Sequence, residues 1–469
     1  MSLENVVWFA RNEEGIAAVI ALLKTRFGDR AQTGQAIREQ HGHTTTYLPT
    51  QAPDIVIFAQ STQDVQDVVR ICAEHRVPLV AFGAGSSLEG QVNAAAGGVS
   101  LDLTGMNQIL AVHAEDLDCV VQPGVMRREL NEYLRDTGLF FPIDPGANAS
   151  LGGMAATRAS GTNAVRYGTM RENVLALKAV MPDGRLIETS KRVKKTAAGY
   201  DLTRLLIGSE GTLGIITELT LKLQGIPQAI SGGICPFPDV ESACRAVIET
   251  IQMGVPVARI ELVNTLQMEA LIQYSKLPYE AQPYLFVEFH GTETGVAEQA
   301  EIFGEIAAEN GGGEFRWTKD AEERDRLWRA RHDAYFAATT LRPGCKGLST
   351  DVCVPISRLA DCIVETEKDL AESRIIAPIV GHVGDGNFHL LLLLDTEDAD
   401  EMERTEQFMD RLVKRALEME GTCTDEHGIG QGKMKYLPME LGAATDYMIA
   451  IKKALDPDNI MNPGKILIA

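Results

Sequence analysis

Two histidines on either side of a short turn could bind a metal ion. They are His382 and His389, which flank the Asp385-Gly386 pair in the tract that begins at Gly381. The apolar runs before and after this tract, together with the Asp-Gly pair, are typical of a β-hairpin. With Asp385-Gly386 as the two-residue turn, His382 would face His389 on one side of the sheet, roughly 5 Å apart at Cβ. Two imidazoles this close suit one divalent ion.

A second segment, residues 424–430, offers further ligands. It contains a carboxylate and an imidazole in sequence, Glu426 and His427, followed by Gly428 and Gly430. A lone histidine is usually a core or surface residue, but this grouping of histidines and a carboxylate favours a functional site. The nearby Cys423 is predicted to be a small buried residue rather than a soft metal ligand.

The composition limits the class of protein. A chain of 469 residues is too long for one ordinary core, so two or three domains are expected. The net charge of -21 argues against a nucleic-acid or anionic-membrane surface. The eight cysteines form no C-x-x-C pair, which favours reduced thiols. No secretory signal or long apolar run is evident, and we predict a cytoplasmic protein, possibly peripheral at the inner membrane.

The first half of the chain begins with a helix and a crossover unit. Apolar spacing predicts a helix over residues 12–28. Residues 54–59 and 78–82 are predicted strands, and a helix capped by Ser61 lies between them. This order is typical of a βαβ unit.

Glycine-rich loops follow the second strand and indicate a phosphate-bearing ligand. The loop from Gly83 to Gly90 has Leu88 where a dinucleotide-binding Rossmann fingerprint needs glycine, and a strand rather than a helix follows it. No P-loop sequence is present either. Further glycine tracts lie within residues 142–168 and 206–217. Several loops that allow close backbone approach suggest one large, flat, phosphate-bearing molecule.

The second half predicts a separate α+β domain with an antiparallel sheet. Helices are expected at 240–253, 296–310, 320–338 and 443–455, and strands at 258–263 and 284–290. We therefore divide the chain into an N-terminal helical segment (1–45), a ligand-binding domain (46–226), a second domain (227–430) and a C-terminal segment (431–469).

Several motifs identify a resemblance to a known family. They are the tracts 342–347, 349–357 and 380–389, the segment Asp425–Gly430, and the tail Met461–Lys465. In these the chain resembles the FAD-linked hydroxyacid dehydrogenases of the vanillyl-alcohol-oxidase type, and most of all their cytochrome-type, mitochondrial-like D-lactate dehydrogenase branch. The resemblance covers about residues 45–469. It implies an α+β fold: a PCMH-type FAD-binding domain, a substrate-binding α+β cap domain with an antiparallel sheet, and a C-terminal segment that returns to the FAD domain.

The resemblance also implies a flavin site. Loop 83–90 would hold the pyrophosphate, further loops would line the adenosine and isoalloxazine, and the tail would bring Asn462 near the ring. Because relatives with covalent flavin use a histidine where this chain has Ser86-Ser87, non-covalent FAD is expected. The implied FAD-binding residues are Gly83, Ala84, Gly85, Ser86, Ser87, Gly90, Pro145, Gly146, Gly152, Gly153, Ser160, Gly161, Gly211, Thr212, Ile216 and Asn462.

By the same resemblance, His382, His389 and Glu426 are ligands of a divalent metal (Zn, Mn or Fe), and His427 is the catalytic base. A 2-hydroxy acid would chelate the metal, which lowers the pKa of its hydroxyl, while His427 accepts the proton and the flavin accepts the hydride. The implied substrate-binding residues are Arg331, Lys346, Tyr335, Trp328 and Asn387. Relatives that oxidise 2-hydroxyglutarate have a small hydroxyl residue where this chain has Tyr335, so short side chains are favoured.

The implied function is therefore oxidation of a D-2-hydroxy acid, D-lactate above all. The alternatives are the catalytic-type subunit of a glycolate oxidase, a D-2-hydroxyglutarate dehydrogenase, a metal-dependent hydrolase, and an inactive flavoprotein. The expected partners are the small substrate and an electron acceptor (quinone, cytochrome or electron-transfer flavoprotein), with a homodimer possible and no nucleic acid.

Overall fold

The structure is a computed structural model that describes residues 9–44 and 48–468. Residues 1–8, at the start of the predicted N-terminal helical segment, lie outside the described residues. The helix expected there is present at Glu13–Phe27, with the Asn12 side chain accepting a hydrogen bond from the N–H of Gly15. No helix in the described part of the chain combines the length and the apolar character needed to cross a membrane.

Helices and strands alternate along the described chain. The helices are α1 (Glu13–Phe27), α2 (Gln35–Gln40), α3 (Thr62–Glu74), α4 (Arg127–Leu134), α5 (Leu151–Thr157), α6 (Ala164–Tyr167), α7 (Met170–Asn173), α8 (Leu202–Leu206), α9 (Val240–Gln252), α10 (Thr265–Ser275), α11 (Glu293–Glu309), α12 (Ala321–His332), α13 (Ala334–Thr339), α14 (Leu359–Ser373), α15 (Ala399–Glu418), α16 (Leu437–Leu441) and α17 (Ala444–Leu455). The strands are β1 (Ala31–Gln32), β2 (Ile55–Phe58), β3 (Leu79–Phe82), β4 (Val99–Asp102), β5 (Ile109–His113), β6 (Asp118–Val121), β7 (Leu139–Phe140), β8 (Val174–Val180), β9 (Leu186–Glu188), β10 (Ile215–Lys222), β11 (Gln224–Gly225), β12 (Ala229–Pro236), β13 (Val257–Val263), β14 (Tyr284–Gly291), β15 (Arg316–Thr318), β16 (Lys346–Ser349), β17 (Val352–Cys353), β18 (Ile379–Gly381) and β19 (Asn387–Leu394).

The chain forms two compact units. Unit 1 contains Gly161–Tyr167 and Pro227–Asp425, and unit 2 contains the described residues up to Ser160, Gly168–Ile226 and the described residues from Glu426 onwards. Each unit has its own sheets, and the chain passes from unit 1 back to unit 2 at the peptide bond between Asp425 and Glu426.

Unit 2 contains a four-stranded sheet and a five-stranded sheet. In the first, β2, β4 and β3 are parallel, so the predicted crossover through α3 joins β2 to β3 with β4 between them. Ser61 caps α3 as predicted, because its side chain accepts from the N–H of Asp64. The second sheet is antiparallel, in the order β5-β6-β10-β8-β9.

Unit 1 is built on an antiparallel sheet in the order β15-β12-β14-β13-β18-β19-β16, with β17 also pairing with β19. Its strands β13, β14 and β19 are almost entirely buried. Apolar residues of β13, β14, α10 and α12 form one core cluster, which includes Val263, Phe286, Leu271 and Trp328. The predicted α+β class, with an antiparallel sheet in the second half, is confirmed.

The predicted register of the histidine hairpin is wrong by two residues. Val380 pairs with His389, and the connection is the five-residue stretch 382–386 rather than a two-residue turn. The reason is a third strand segment: the N–H of Val354 donates to the carbonyl of Gly386 at 3.0 Å, and β17 takes up the start of β19. Because side chains alternate with period two, a shift of two residues leaves both histidines on the same side. Their ring centroids are 5.3 Å apart.

The helix predicted at 320–338 is interrupted. α12 ends at His332, Asp333 has φ -78° and ψ 4°, and α13 begins at Ala334. An aspartate side chain competes with helical hydrogen bonding, which makes such a break favourable. Arg331 and Tyr335 therefore belong to different helices, and Tyr335 is not one turn further along the helix of Arg331.

Candidate active site

Both histidines of the hairpin have the Nδ1 atom occupied. Nδ1 of His382 lies 2.7 Å from Oε1 of Glu261, and Nδ1 of His389 lies 2.8 Å from the carbonyl oxygen of Thr350. A carbonyl and a carboxylate can only accept, so each Nδ1 carries the hydrogen. The lone pair is then on Nε2 of both rings, the arrangement found in histidines that bind metals.

Glu426 is the predicted third ligand, and it is the first residue after the chain returns to unit 2. Glu426 is bonded directly to Asp425, which Asp351 fixes within unit 1. Asp351 accepts from the backbone N–H of Asp425 at 2.8 Å and from the hydroxyl of Thr424 at 2.6 Å. The fully buried Asp351 thereby fixes the chain just before Glu426.

Glu261 lies on β13 and contacts two residues predicted for the site. Its Oε2 accepts from Nη2 of Arg331 at 2.6 Å, while Oε1 faces His382. Burial raises the pKa of Glu261, but its contact with His382 and the positive charge of Arg331 outweigh burial and keep its pKa below the usual value. The carboxylate is therefore ionised. Nε of Arg331 is buried with no hydrogen-bond partner among the described residues, a donor that would suit a bound anion.

The other predicted substrate-binding residues differ in burial. Asn387 is fully buried and donates to Oδ1 of Asp351 and the carbonyl of Val352. Trp328 is buried beneath the guanidinium of Arg259, 4.8 Å from the ring centroid. Tyr335 is 47% exposed, and Lys346 is exposed at the start of β16. Their roles in binding substrate stay predictions.

Unit 2 contains a cavity of about 290 Å³. Three of the predicted FAD-binding residues, Gly90, Gly161 and Thr212, do not line it, and Gly161 belongs to unit 1. The remaining predicted residues do line it: Gly83, Ala84, Gly85, Ser86, Ser87, Pro145, Gly146, Gly152, Gly153, Ser160, Gly211, Ile216 and Asn462.

Polar atoms in the cavity wall fit a dinucleotide. Oγ of Ser87, Oγ of Ser150 and Oδ1 of Asn462 are buried, and none has a hydrogen-bond partner within the described ranges 9–44 and 48–468. Buried polar atoms normally have partners, so these three are suited to a ligand rich in hydroxyl and phosphate groups. The Asn462 amide is held in place because its Nδ2 donates to the carbonyls of Gln91 and Glu210.

The segment after His427 wraps around a buried carboxylate. Oε1 and Oε2 of Glu210 accept from the backbone N–H groups of Ile429 and Gly430, at 2.8 and 2.9 Å. Gly428 has φ +77°, and a Cβ there would meet the Glu210 carboxylate, which explains the glycine beside the candidate base. Burial raises the pKa of Glu210 to about 7, although these N–H groups oppose the effect. Glu210 also lines the cavity.

His427 itself lies in the cavity wall, with a carboxylate nearby. Its backbone carbonyl accepts from Nε2 of Gln91 at 2.8 Å, and its Nδ1 is 3.9 Å from Oε1 of Glu89. Lys433 is 3.6 Å from the same Glu89 oxygen. Glu89 belongs to the loop 83–90, so this loop lies beside the candidate base His427 within unit 2.

Sequence reasoning missed Glu261, Asp351 and Glu210. A usable signal existed for Glu261, because a charged residue inside the otherwise buried strand Val257–Val263 needs a partner. Glu210 stands out in the sequence only as a charged residue in a glycine-rich tract, between Ser209 and Gly211. The sequence gives no indication that it contacts residues 429 and 430.

Comparisons with known proteins identify the family of the chain. Residues 53–190 match the model of an FAD binding domain, and residues 226–466 match that of the FAD linked oxidases, C-terminal domain. A probable mitochondrial D-lactate dehydrogenase of Danio rerio is 51% identical over 464 residues, which cover 98% of this chain and 93% of the relative. The chain belongs to the FAD-linked oxidase family. It is an oxidoreductase with FAD as its cofactor.

Two further similarities extend this result. A mitochondrial D-lactate dehydrogenase [cytochrome] of Arabidopsis thaliana is 44% identical, with 96% of this chain and 80% of that protein covered. The crystal structure of p-cresol methylhydroxylase with substrate bound has a TM-score of 0.80 at 17% identity and covers 98% of each chain, which supports the predicted fold. The prediction of a cytoplasmic location is wrong by this comparison, since both D-lactate dehydrogenase relatives are named as mitochondrial.

Proposed function

We propose that the protein is a metal-dependent dehydrogenase that oxidises D-2-hydroxy acids, with D-lactate as the main substrate and pyruvate as the product. The observation that carries the proposal is the pair of His382 and His389 in unit 1, whose ring centroids are 5.3 Å apart and whose Nδ1 atoms both face fixed acceptors. The third proposed ligand, Glu426, directly precedes His427 in the sequence. The relatives named D-lactate dehydrogenases support the choice of substrate.

In this proposal, the substrate carboxylate binds to cationic side chains of unit 1. Arg331 has a buried Nε donor without a partner among the described residues, and Lys346 is exposed to solvent. Guanidinium and ammonium groups neutralise a carboxylate, and the planar guanidinium also fixes its orientation. Trp328 and the ring of Tyr335 would limit the space for the substrate's side chain.

The metal ligands are proposed to be Nε2 of His382, Nε2 of His389 and the carboxylate of Glu426. Two imidazoles and a carboxylate suit Zn²⁺, Mn²⁺ or Fe²⁺. When bound, such an ion lowers the pKa of a coordinated hydroxyl. Glu261 and the carbonyl of Thr350 hold the two rings in the tautomer with the hydrogen on Nδ1, which is the tautomer that coordinates through Nε2.

His427 is proposed to accept the hydroxyl proton. Gln91 fixes the backbone of His427, and Glu210 fixes the two residues that follow Gly428, so the backbone on both sides of Gly428 is held in place. A base held in this way needs little reorganisation to receive the proton. FAD held in the cavity of unit 2 would supply the redox chemistry of the oxidation. The positions 86 and 87 are serine, so the FAD is proposed to be non-covalent.

The electron acceptor is proposed to be a cytochrome or a quinone. The cytochrome is supported by the Arabidopsis relative, which is named a D-lactate dehydrogenase [cytochrome]. The same names support a mitochondrial location for this protein.

The test is anaerobic reduction of the flavin by D-lactate, L-lactate, glycolate and D-2-hydroxyglutarate. D-Lactate should bleach the flavin absorbance fastest. His427→Ala should slow flavin reduction by about 10²–10⁴-fold, the usual scale for a positioned base. His290→Ala, a buried histidine of unit 1 outside the ligand group, is the control and should keep the wild-type rate. Wild-type rates in His427→Ala would show that the proton acceptor is another group.

The cofactors have separate tests. Acid precipitation should release the flavin into the supernatant, and flavin that stays with the pellet would contradict non-covalent binding. A chelator should abolish flavin reduction while FAD stays bound, and Zn²⁺ or Mn²⁺ should restore it. Full activity in metal-free protein would refute the metal-dependent mechanism.

A further inference from the structure

One buried carboxylate of unit 1 contacts two side chains with different proposed tasks. Glu261 has no solvent exposure, and its two oxygens are divided between His382 at 2.7 Å and Arg331 at 2.6 Å. The strand that carries it, β13, pairs with β18, which leads directly into His382. Arg331 lies in the last turn of α12, which packs on the same core cluster. All three residues are therefore held by regular structure.

We propose that Glu261 is a positioning residue that couples metal binding to binding of the substrate carboxylate. The inference rests on the proposed function, because it takes His382 as a metal ligand and Arg331 as the carboxylate-binding group. Through Oε1, Glu261 keeps the hydrogen of His382 on Nδ1 and the lone pair on Nε2. Through Oε2, it fixes the orientation of the Arg331 guanidinium.

The charge of Glu261 matters as much as its geometry. A divalent cation on His382 and the guanidinium of Arg331 repel each other, and this repulsion is strong where water is excluded. The carboxylate lies between His382 and Arg331 and offsets both positive charges. An amide at this position would lose that charge. It would also present an NH₂ group either to the guanidinium, which cannot accept, or to Nδ1 of His382, which would move the ring hydrogen to Nε2 and block coordination.

The neighbouring strand supplies a matched control. Glu288 on β14 is also buried, and it contacts His290 at 2.9 Å and Arg259 at 3.6 Å. His290 uses both ring nitrogens, because its Nε2 faces Glu288 and its Nδ1 lies 2.7 Å from the hydroxyl of Tyr167. The Glu288 group therefore repeats the carboxylate, histidine and arginine of the Glu261 group, with both nitrogens of its histidine occupied.

The experiment compares Glu261→Gln with Glu288→Gln in the full-length, FAD-loaded protein. Zn²⁺ and Mn²⁺ affinities are measured by chelator competition, and KM and kcat for D-lactate are measured at saturating metal. Glu261→Gln should bind metal about 10–100-fold more weakly, the scale for loss of a carboxylate partner of a ligating histidine. Once metal is saturating, kcat should largely recover while KM stays raised by about 10-fold, because Arg331 has lost its anchor. Glu288→Gln should stay within about two-fold of wild type in both quantities.

Each result decides one question. If the wild-type protein binds no divalent metal, the proposed function and this inference both fail. If wild type binds metal and Glu261→Gln binds it equally well, only the inference fails. Equal losses in Glu288→Gln would also overturn it, because the effect would then follow from any lost buried carboxylate. Should Glu261→Gln not fold, Glu261→Asp keeps the charge but withdraws the carboxylate by one methylene, and unchanged metal affinity in that variant would refute the inference.

Discussion

Gly386 is the position at which the histidine hairpin should tolerate least change. It has φ +86°, and a Cβ added there would lie less than 3.0 Å from the carbonyl oxygen of Val354 and 3.3 Å from its carbon. Gly344, also in unit 1, has φ +84° with nothing within 4 Å of the corresponding Cβ. The substitutions Gly386→Ala and Gly344→Ala therefore impose the same backbone strain. They differ in that only the new Cβ at position 386 would contact the carbonyl of Val354.

The expected loss of stability follows from these two terms. A left-handed conformation costs a residue with a side chain about 1–2 kcal/mol, and the stiffer unfolded chain returns about 0.4–1 kcal/mol. Gly344→Ala should thus lower the free energy of unfolding by about 1 kcal/mol. In Gly386→Ala the backbone of Val354 must also move, and overpacking of this kind costs about 1–3 kcal/mol more. The hydrogen bond from Val354 N–H to the Gly386 carbonyl would weaken as well. We expect a total of about 3–4 kcal/mol.

Urea denaturation of both variants measures the difference, and chelator competition measures metal affinity. Because Gly386 ends the turn that carries His382, Gly386→Ala should also weaken Zn²⁺ binding by 10-fold or more, the scale for disturbing the support of a ligating histidine. Gly344→Ala should leave metal affinity unchanged. Equal loss of stability in the two variants would refute the reasoning, since the contact with Val354 would then contribute nothing.

Three further predictions concern other parts of the chain. Burial raises the pKa of Asp369, but hydrogen bonds from Arg411 and Arg415 outweigh it and lower its pKa below the usual 3.8. Asp369→Asn should therefore lower the free energy of unfolding by about 2 kcal/mol at pH 7. Urea titrations should show the difference from wild type shrinking as the pH falls below 3.8. A difference that does not depend on pH would contradict the lowered pKa of Asp369. Six of the eight cysteines are buried, and burial raises the pKa of the Cys244 thiol, for example, to about 12. A thiol reagent at neutral pH should therefore label at most the two partly exposed cysteines until the protein is unfolded. Tyr335→Thr should shift relative kcat/KM from D-lactate toward D-2-hydroxyglutarate by about 10–200-fold, and an unchanged ranking in stopped-flow flavin reduction would remove Tyr335 as a determinant of substrate size.

The sequence by itself determined the local elements and the identity of the main groups. Periodicity and capping residues predicted α1, α3 and the strands of both halves, because these signals act within a few residues of the element they specify. The glycine tracts indicated a phosphate-bearing ligand, and most of them line the cavity of unit 2. The placement of His382 and His389 on the same side also follows from local pattern, since an error of two residues in register preserves the side of the sheet.

Only the tertiary structure decided which groups support these residues. The hairpin register depends on contacts of Gly386 with Val354, 32 residues earlier in the chain. Glu261 meets His382 across 121 positions, and Glu210 meets Ile429 across 219. Such contacts depend on how strands and loops pack, and periodicity carries no information about them. A buried carboxylate reveals in the sequence that it needs partners, because its desolvation must be offset, but the partners themselves are set by the fold.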